Sequence, residues 1–292
     1  MKKKIIKISS PSGLVSIGEH NPLVFIGGPC AIESYDHSMK MAGEIKRICK
    51  KQNISFIFKS CYDKDCRSSP ESFTGVGLED GLEILSKIRK EHGVAVTSDF
   101  SDPKWAEQTG KICDLVQIPA FLCRQTSILK AAAETKKPIH LKKGQFMSPW
   151  NMKNSVKKLE FYGSREILLT DRGTFFGYNM LINDMRSLPI MAETGYPVCF
   201  DASHSVQLPT SMGNISGGQR EFIPHLVRAA TATGINALFI EVHDNPKKAM
   251  SDKNTVLDLS YLERILDEAI TINKKLQDLK EKYGEDYIVH ET

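Results

Sequence analysis

Short runs of apolar and β-branched residues recur along the chain, most of them beginning about 20 to 40 residues after the last. They are "LVFIGG" from Leu23, "ISFIFKS" from Ile54, "VAVTSDF" from Val94, "LVQIPAF" from Leu115, "PIHLKKGQF" from Pro138, "EILLTDRG" from Glu166, "PVCFDASHS" from Pro197 and "ALFIEVHD" from Ala237. Between them the apolar positions change period. "SMKMAGEIKRICKKQ" sets Met39, Ala42, Ile45 and Ile48 on one helical face, and "LEDGLEILSKIRKEHG" does so with Leu82, Leu85 and Ile88 before a stop at Gly93. "REFIPHLVRAATATG" fits with Pro224 in its first turn.

The strand runs are apolar almost throughout rather than alternating, which predicts a parallel sheet covered on both faces. Eight strand–helix units in 292 residues predict an α/β fold, a (β/α)8 TIM barrel. A doubly wound open sheet competes with it, but no strand is followed by G-x-G-x-x-G. Residues 1–20 predict a short N-terminal β-hairpin closing the barrel bottom, and residues 257–292 the final helix with a charged tail. No linker divides the chain, so residues 1–292 are expected to form a single domain.

Composition narrows the class. Hydrophobic content of 41% and charged content of 25% describe an ordinary globular protein, and a net charge of +4 is too small and dispersed to imply a nucleic acid partner. Seven cysteines, irregularly spaced and without a CxxC pair, predict a reducing compartment. "MKKKIIKISSPSG" lacks the long apolar segment of a signal peptide, and no stretch approaches a membrane span, so a cytoplasmic location is expected.

Chemistry gathers at the strand ends, where barrels of this kind carry active sites. They offer Cys30 and Glu33, Lys59, Asp99, Gln117, Lys142 and Lys143, Asp171 and Arg172, Asp201 and His204, and Glu241, His243 and Asp244. Any one of these serves equally as a cap or turn residue, and Cys30 alone reads as a small buried hydrophobe. Together they point to one charged pocket. Cys30, His204, Glu241 and the nearby Asp252 are metal-ligand types. Thiolate and imidazole suit zinc or iron(II), and two carboxylates widen the choice toward manganese. The set requires strands one, seven and eight to be neighbours, as a closed barrel makes them. Lys59, Lys64, Arg67, Lys142 and Arg172, with Ser68 and Ser69, are suited to phosphate oxygens. Five cations exceed one phosphate's needs, predicting either two phosphorylated substrates or one bisphosphate.

With those residues placed, "GGPCAIES", "FKSCYDKDCRSS", "QIPAFLCRQT", "KKGQFMSPW", "DRGTFFGYN", "FDASHSVQLP", "SGGQREF" and "FIEVHDNPKKAMSD" resemble, in this order and spacing, the 3-deoxy-D-manno-octulosonate 8-phosphate (Kdo8P) synthases. The resemblance runs from Leu23 to Leu266. It implies a homotetrameric barrel that condenses phosphoenolpyruvate with arabinose 5-phosphate and releases inorganic phosphate, in lipopolysaccharide biosynthesis. Cys30, where metal-independent members carry Asn, implies the divalent-metal class with Cys30, His204, Glu241 and Asp252 as ligands. It further implies that Lys59, Lys64, Lys142, Arg172, Gln117 and the Ala120 backbone bind phosphoenolpyruvate. Arg67 and Ser68 fall to the sugar phosphate, and Arg124 reaches a neighbouring subunit. Cys61, Cys66 and Ser101 depart from the family pattern. Lys142 is the candidate for moving a proton, with His204 on the metal near the attacking water, and Glu33 is expected to hydrogen-bond within its own loop.

The nearest rival is 3-deoxy-arabino-heptulosonate 7-phosphate synthase, which uses erythrose 4-phosphate. "RSSPESFTG" leans that way, but that family places Lys-Pro before the arginine, whereas "DKDCRSS" keeps the Kdo8P spacing from Lys59. A Schiff-base aldolase using Lys59 or Lys142 would predict borohydride trapping of a substrate adduct, and a metal- or sugar-phosphate-binding regulatory module leaves the ring of acids and cations unexplained.

Overall fold

A computed structural model describes residues 3–67, 69–212 and 215–284. The chain opens with an antiparallel pair, β1 (Ile6–Ser10) and β2 (Gly13–Ile17). There follow β3 (Val24–Gly28), α1 (Tyr35–Lys51), β4 (Ser55–Lys59), α2 (Leu78–His92), β5 (Ala95–Asp99) and α3 (Ala106–Ile112). Next come β6 (Leu115–Ile118), α4 (Thr126–Glu134), β7 (Ile139–Lys142), α5 (Met152–Phe161) and β8 (Ile167–Asp171). Two short strands, β9 (Thr174–Phe175) and β10 (Leu181–Ile182), precede α6 (Ser187–Ala192) and β11 (Val198–Asp201). Then come β12 (Gln207–Met212), β13 (Ile215–Gly218), α7 (Ile223–Ala232), β14 (Ala237–His243), β15 (Leu257–Asp258) and α8 (Leu259–Tyr283).

β3 to β8, β11 and β14 pair in parallel in chain order, and β14 pairs with both β3 and β11. The sheet is therefore closed, and the expected (β/α)8 TIM barrel is present. Helix ends follow local chemistry: the Ser34 hydroxyl accepts the His37 N–H at the start of α1, and Gly93 ends α2 in a left-handed conformation at φ 65°. Pro224 sits in the first turn of α7, where its missing N–H costs no helical bond.

Two apolar layers result from the two-residue alternation of each strand. Odd positions of β3, such as Phe25, face the helices, while Val24 and Ile26 point inward to join Ile57, Ala95, Leu115, Leu168, Cys199, Ala237 and Phe239. Ile6, Ile8, Val15 and Ile17 of the N-terminal hairpin belong to this inner cluster, so the hairpin plugs the lower end of the barrel as expected. No helix of the described residues is long and apolar enough to cross a membrane.

Two details differ from the sequence expectation. The last helix does not start at residue 257: Leu257–Asp258 are extended and pair with Val242–His243, and the Asp258 side chain accepts the Ser260 N–H to start α8 at Leu259. The β9–β10 and β12–β13 ribbons in the loops after β8 and β11 are additional. β9 and β10 are two residues each, and β12 and β13 mix glycines, a proline and polar residues, so neither ribbon leaves a periodic signature.

Ile17 is fully buried in the plug. Ile17→Ala is expected to cost about 2–4 kcal/mol, transfer loss plus cavity, read as a lower urea midpoint at unchanged slope.

Candidate active site

The same alternation that buries apolar residues low in the barrel brings polar ones inward at its upper rim. Two residues beyond inward Ile57 is Lys59, beyond Leu115 is Gln117, and beyond Cys199 is Asp201. Beyond Phe239 is Glu241. On β3 the inward sequence runs through Gly28 to Cys30. A β-carbon at Gly28 would collide with the Lys59 carbonyl oxygen, and one at Gly27 would collide with the Phe25 ring and the Ile240 carbonyl. The glycines let β3 pass tightly between its neighbours and deliver Cys30 to the rim.

Cys30 Sγ lies 3.1 Å from both Ser251 Oγ and Asp252 Oδ2. One ligand atom from each of Cys30, Glu241 and Asp252 lies within 4.8 Å of the others. His204 Nε2 stands 3.6 Å from Glu241 Oε1 and 3.8 Å from Asp252 Oδ2. The four residues named from sequence as metal ligands are thus brought together, although Cys30 and Asp252 are 222 positions apart. Their chemistry fits a divalent cation: a thiol, an imidazole and two carboxylates, with Glu241 Oε2 buried and lacking a hydrogen-bond partner. Burial, then the Asp252 and Glu241 charges, push the Cys30 thiol well above its ordinary pKa. Burial alone would raise the Glu241 carboxyl too, but His204, Lys64 and Lys59 hold it below the carboxylate range.

Asp201 organises the opposite side. Its Oδ2 accepts from Lys142 Nζ at 2.6 Å and lies 2.7 Å from His204 Nδ1, while Oδ1 accepts the His204 backbone N–H. A carboxylate at Nδ1 fixes a ring proton there and turns Nε2 toward Glu241 and Asp252. Burial opposes the Asp201 charge, but His204 and Lys142 keep its carboxyl well below the usual range. Lys142 sits 3.6 Å over the Phe239 ring. Burial, with Asp201 opposing and Lys59 assisting, holds its ammonium below the ordinary lysine range. Lys59 donates to Glu241 Oε1 at 3.2 Å and to the Cys30 carbonyl at 3.3 Å.

A cavity of about 400 Å³ opens on this cluster, walled by Lys64, Arg67, Arg172, His204 and Asp252. Lys59, Lys142 and Gln117 lie buried behind that wall. Arg67 Nη1 donates to Ser251 Oγ at 2.6 Å, and Arg172 Nη2 donates to Gln207 Oε1 at 2.5 Å while its Nη1 is buried without a partner. Gln117 Oε1 is likewise buried and unpartnered. Ala120 is buried at the start of a short turn, Arg124 is exposed, and Ser68 lies outside the described residues. Cys66 lines the cavity, whereas Cys61 is buried against the Asp63 carbonyl.

Five strand-end residues do not join the pocket as expected: Lys143, Asp171, Glu33, and His243 with Asp244, which lie against Glu33, His37 and Lys40. Lys143 and Asp171 occupy the outward phase of their strands. Lys143 donates to Thr174 Oγ1 and the Gly173 carbonyl, and Asp171 accepts from the Gly173 N–H and the Ser187 hydroxyl. Glu33 leaves its own loop: Oε1 accepts the Met250 N–H at 2.8 Å and faces His243 Nε2 at 3.3 Å. Conversely, Ser251, Gln145, Gln207, Phe121 and Phe175 border the cluster or cavity without having been singled out. Ser251 carried one signal, its place beside Asp252.

A closed barrel with a cation-walled cavity over a Cys–His–carboxylate cluster at its upper rim defines a class of enzyme built to hold small anionic substrates. Residues 5–278 match the DAHP synthetase I family, and the chain belongs to that family. Within it the chain is similar to the 2-dehydro-3-deoxyphosphooctonate aldolase of Protochlamydia amoebophila, 52% identical over 269 residues covering 92% of this chain and 96% of that one. The protein of that name from Cyanothece sp. is 53% identical, covering 90% and 96%. The one from Rickettsia prowazekii is 47% identical, covering 90% and 94%. The resemblance to Kdo8P synthases, another name for these aldolases, is borne out.

Cys30→Asn removes the only sulfur donor of the four. Metal bound per chain, measured by elemental analysis after gel filtration, is expected to fall to trace level. Content equal to that of the unsubstituted protein would remove Cys30 from the ligand set.

Proposed function

We propose that this chain condenses phosphoenolpyruvate with D-arabinose 5-phosphate and water to give 3-deoxy-D-manno-octulosonate 8-phosphate and inorganic phosphate, a step of lipopolysaccharide biosynthesis. One observation carries the reading. The cation-walled cavity and the Cys30–His204–Glu241–Asp252 cluster meet at one rim, in a chain about half identical to enzymes named 2-dehydro-3-deoxyphosphooctonate aldolase.

In this reading Lys64, Lys142 and Arg172, with Lys59 and Gln117 behind them and the Ala120 backbone beside them, neutralise and orient phosphoenolpyruvate. Arg67 takes the sugar phosphate together with Ser68. Holding both anions together supplies proximity that charge repulsion would otherwise oppose. C3 of phosphoenolpyruvate forms a bond to the sugar's aldehyde carbon, whose oxygen takes up a proton. Water adds at C2, and cleavage of the C2–O bond releases phosphate and leaves the keto acid. Lys142, its ammonium held below the ordinary lysine range by burial and hydrogen-bonded to Asp201, is the proton carrier. Asp201 keeps Lys142 and His204 in fixed orientation. A divalent metal (zinc, iron(II) or manganese) held by Cys30, His204, Glu241 and Asp252 would supply Lewis-acid or water-activating chemistry.

The homotetramer belongs to the same proposal. It is supported by exposed large apolar residues on the loops after β6, β7 and β8, including Phe121, Phe146, Trp150, Phe176 and Tyr178. Light scattering after size exclusion tests it.

Loss of phosphoenolpyruvate absorbance is expected with arabinose 5-phosphate, and to stop on chelation. Faster consumption with erythrose 4-phosphate would transfer the assignment to the heptulosonate reaction. Lys142→Ala is expected to lower kcat by about 100-fold or more, the usual worth of a proton-transfer group. Arg67→Ala is expected to raise KM for the sugar phosphate about 10- to 100-fold, the loss of a charged hydrogen-bonding group worth about 1.5–3 kcal/mol. KM for phosphoenolpyruvate should be unchanged; a shift confined to it would reverse the assignment of the two anion sites.

A further inference from the structure

Beside the four-ligand cluster lies another group of ionisable side chains, Glu33, His37 and His243, with one ligand atom of each within 4.8 Å of the others. Composition alone suggests a place for a cation, but the hydrogen-bond directions oppose it. The Asn245 N–H donates to His243 Nδ1 at 2.8 Å, so Nδ1 carries a lone pair and the neutral ring holds its proton on Nε2. That nitrogen faces Glu33 Oε1 at 3.3 Å. A metal on Nε2 would require the ring proton on Nδ1, where an N–H already points. The group is a bracket of close polar contacts, tied to the backbone through Met250 and Asn245.

What it joins is specific. Glu33 stands three residues after Cys30, and its Oε1 accepts the N–H of Met250, two residues before Asp252. His243 follows Glu241 by two residues on β14, and its ring lies 4.5 Å from that of His37 on α1. On the outer side Asp244 accepts from Lys40 at 2.6 Å and lies 3.1 Å from His37 Nε2. Asp252 itself adopts a left-handed backbone, φ 50°, which a non-glycine residue keeps only when its surroundings hold it. Besides the contacts Cys30 makes with Ser251 and Asp252, the Met250–Glu33 hydrogen bond is a second tie between this segment and the Cys30 loop, and it acts on the backbone.

We propose that Glu33 is a positioning residue for metal binding: through the Met250 N–H and His243 it clamps the Ser251–Asp252 segment against Cys30 and so sets the affinity of the four-ligand cluster. The proposal rests on that cluster being the metal centre. Glu33 stands outside the four-ligand cluster and does not line the cavity. Reach matters more than charge, because the group it must hold is a neutral amide.

Cobalt(II) titration of the full chain tests this, read by thiolate-to-cobalt absorption, which reports on Cys30, alongside the thermal midpoint of the metal-free protein. Glu33→Ala and the shorter, still charged Glu33→Asp are expected to weaken cobalt binding about 10- to 100-fold, the usual effect of losing a ligand-supporting contact. Glu33→Gln, which keeps the reach and the acceptor, should restore binding to within a few-fold. Metal-free midpoints of Glu33→Asp and Glu33→Gln should agree within a few degrees. Folded Glu33→Asp with unchanged affinity would overturn the proposal, as would equal weakening in Glu33→Asp and Glu33→Gln. A second cobalt equivalent lost in Glu33→Ala would make the group a ligand set and overturn it too. No thiolate–cobalt band in the unsubstituted protein would instead sink the metal centre, and the proposal with it.

Discussion

Pairing of β14 with both β3 and β11 closes the sheet, and everything chemical in this protein depends on that closure. A parallel strand alternates its side chains with a period of two, so in a closed barrel every second residue of every strand faces one shared axis. Low on that axis the inward positions are Val24, Ile57, Leu115 and Ala237, sealed from below by Ile6, Ile8 and Ile17. Higher on the same strands they are Lys59, Gln117, Asp201 and Glu241. Opening the barrel at the β3–β14 or β14–β11 pairing would separate Cys30 from His204.

Those charges are tolerated because they are matched. Lys59 with Glu241, and Lys142 with Asp201 and His204, form short contacts in a nearly dry interior, where an isolated ion would be costly. Matching is incomplete at the rim. Among the described residues, Glu241 Oε2, Gln117 Oε1 and Arg172 Nη1 are buried without hydrogen-bond partners. An unsatisfied carboxylate oxygen asks for a cation and an unsatisfied guanidinium N–H for an anion. A protein that only needed a stable barrel would have filled these positions with apolar side chains.

Much of this site was legible in the sequence. The eight apolar runs, the glycines preceding Cys30 and the polar character of the strand ends were all visible, and the four candidate ligands do converge. Lys142 and Lys143 show the limit. Adjacent lysines at the end of one run carry the same sequence signal, yet the strand turns Lys142 toward Asp201 and Lys143 away to Thr174. A run that is apolar on both faces hides its phase, because burial on the helix side and on the barrel side demands the same residue types.

The amino-acid sequence by itself determined the elements: which segments are strands or helices, where Ser34 and Gly93 bound them, and which residue types stand at the strand ends. These depend on contacts within a few residues. Tertiary structure decided which of those side chains share a volume. It made Leu257 and Asp258 a strand by offering them the edge of β14, gave Asp201 two partners at once, and drew Glu33 out of its loop to Met250. Each of these pairings spans a loop or a whole barrel turn. The energy that selects it comes from burial and hydrogen bonding between distant segments, and no local pattern encodes it.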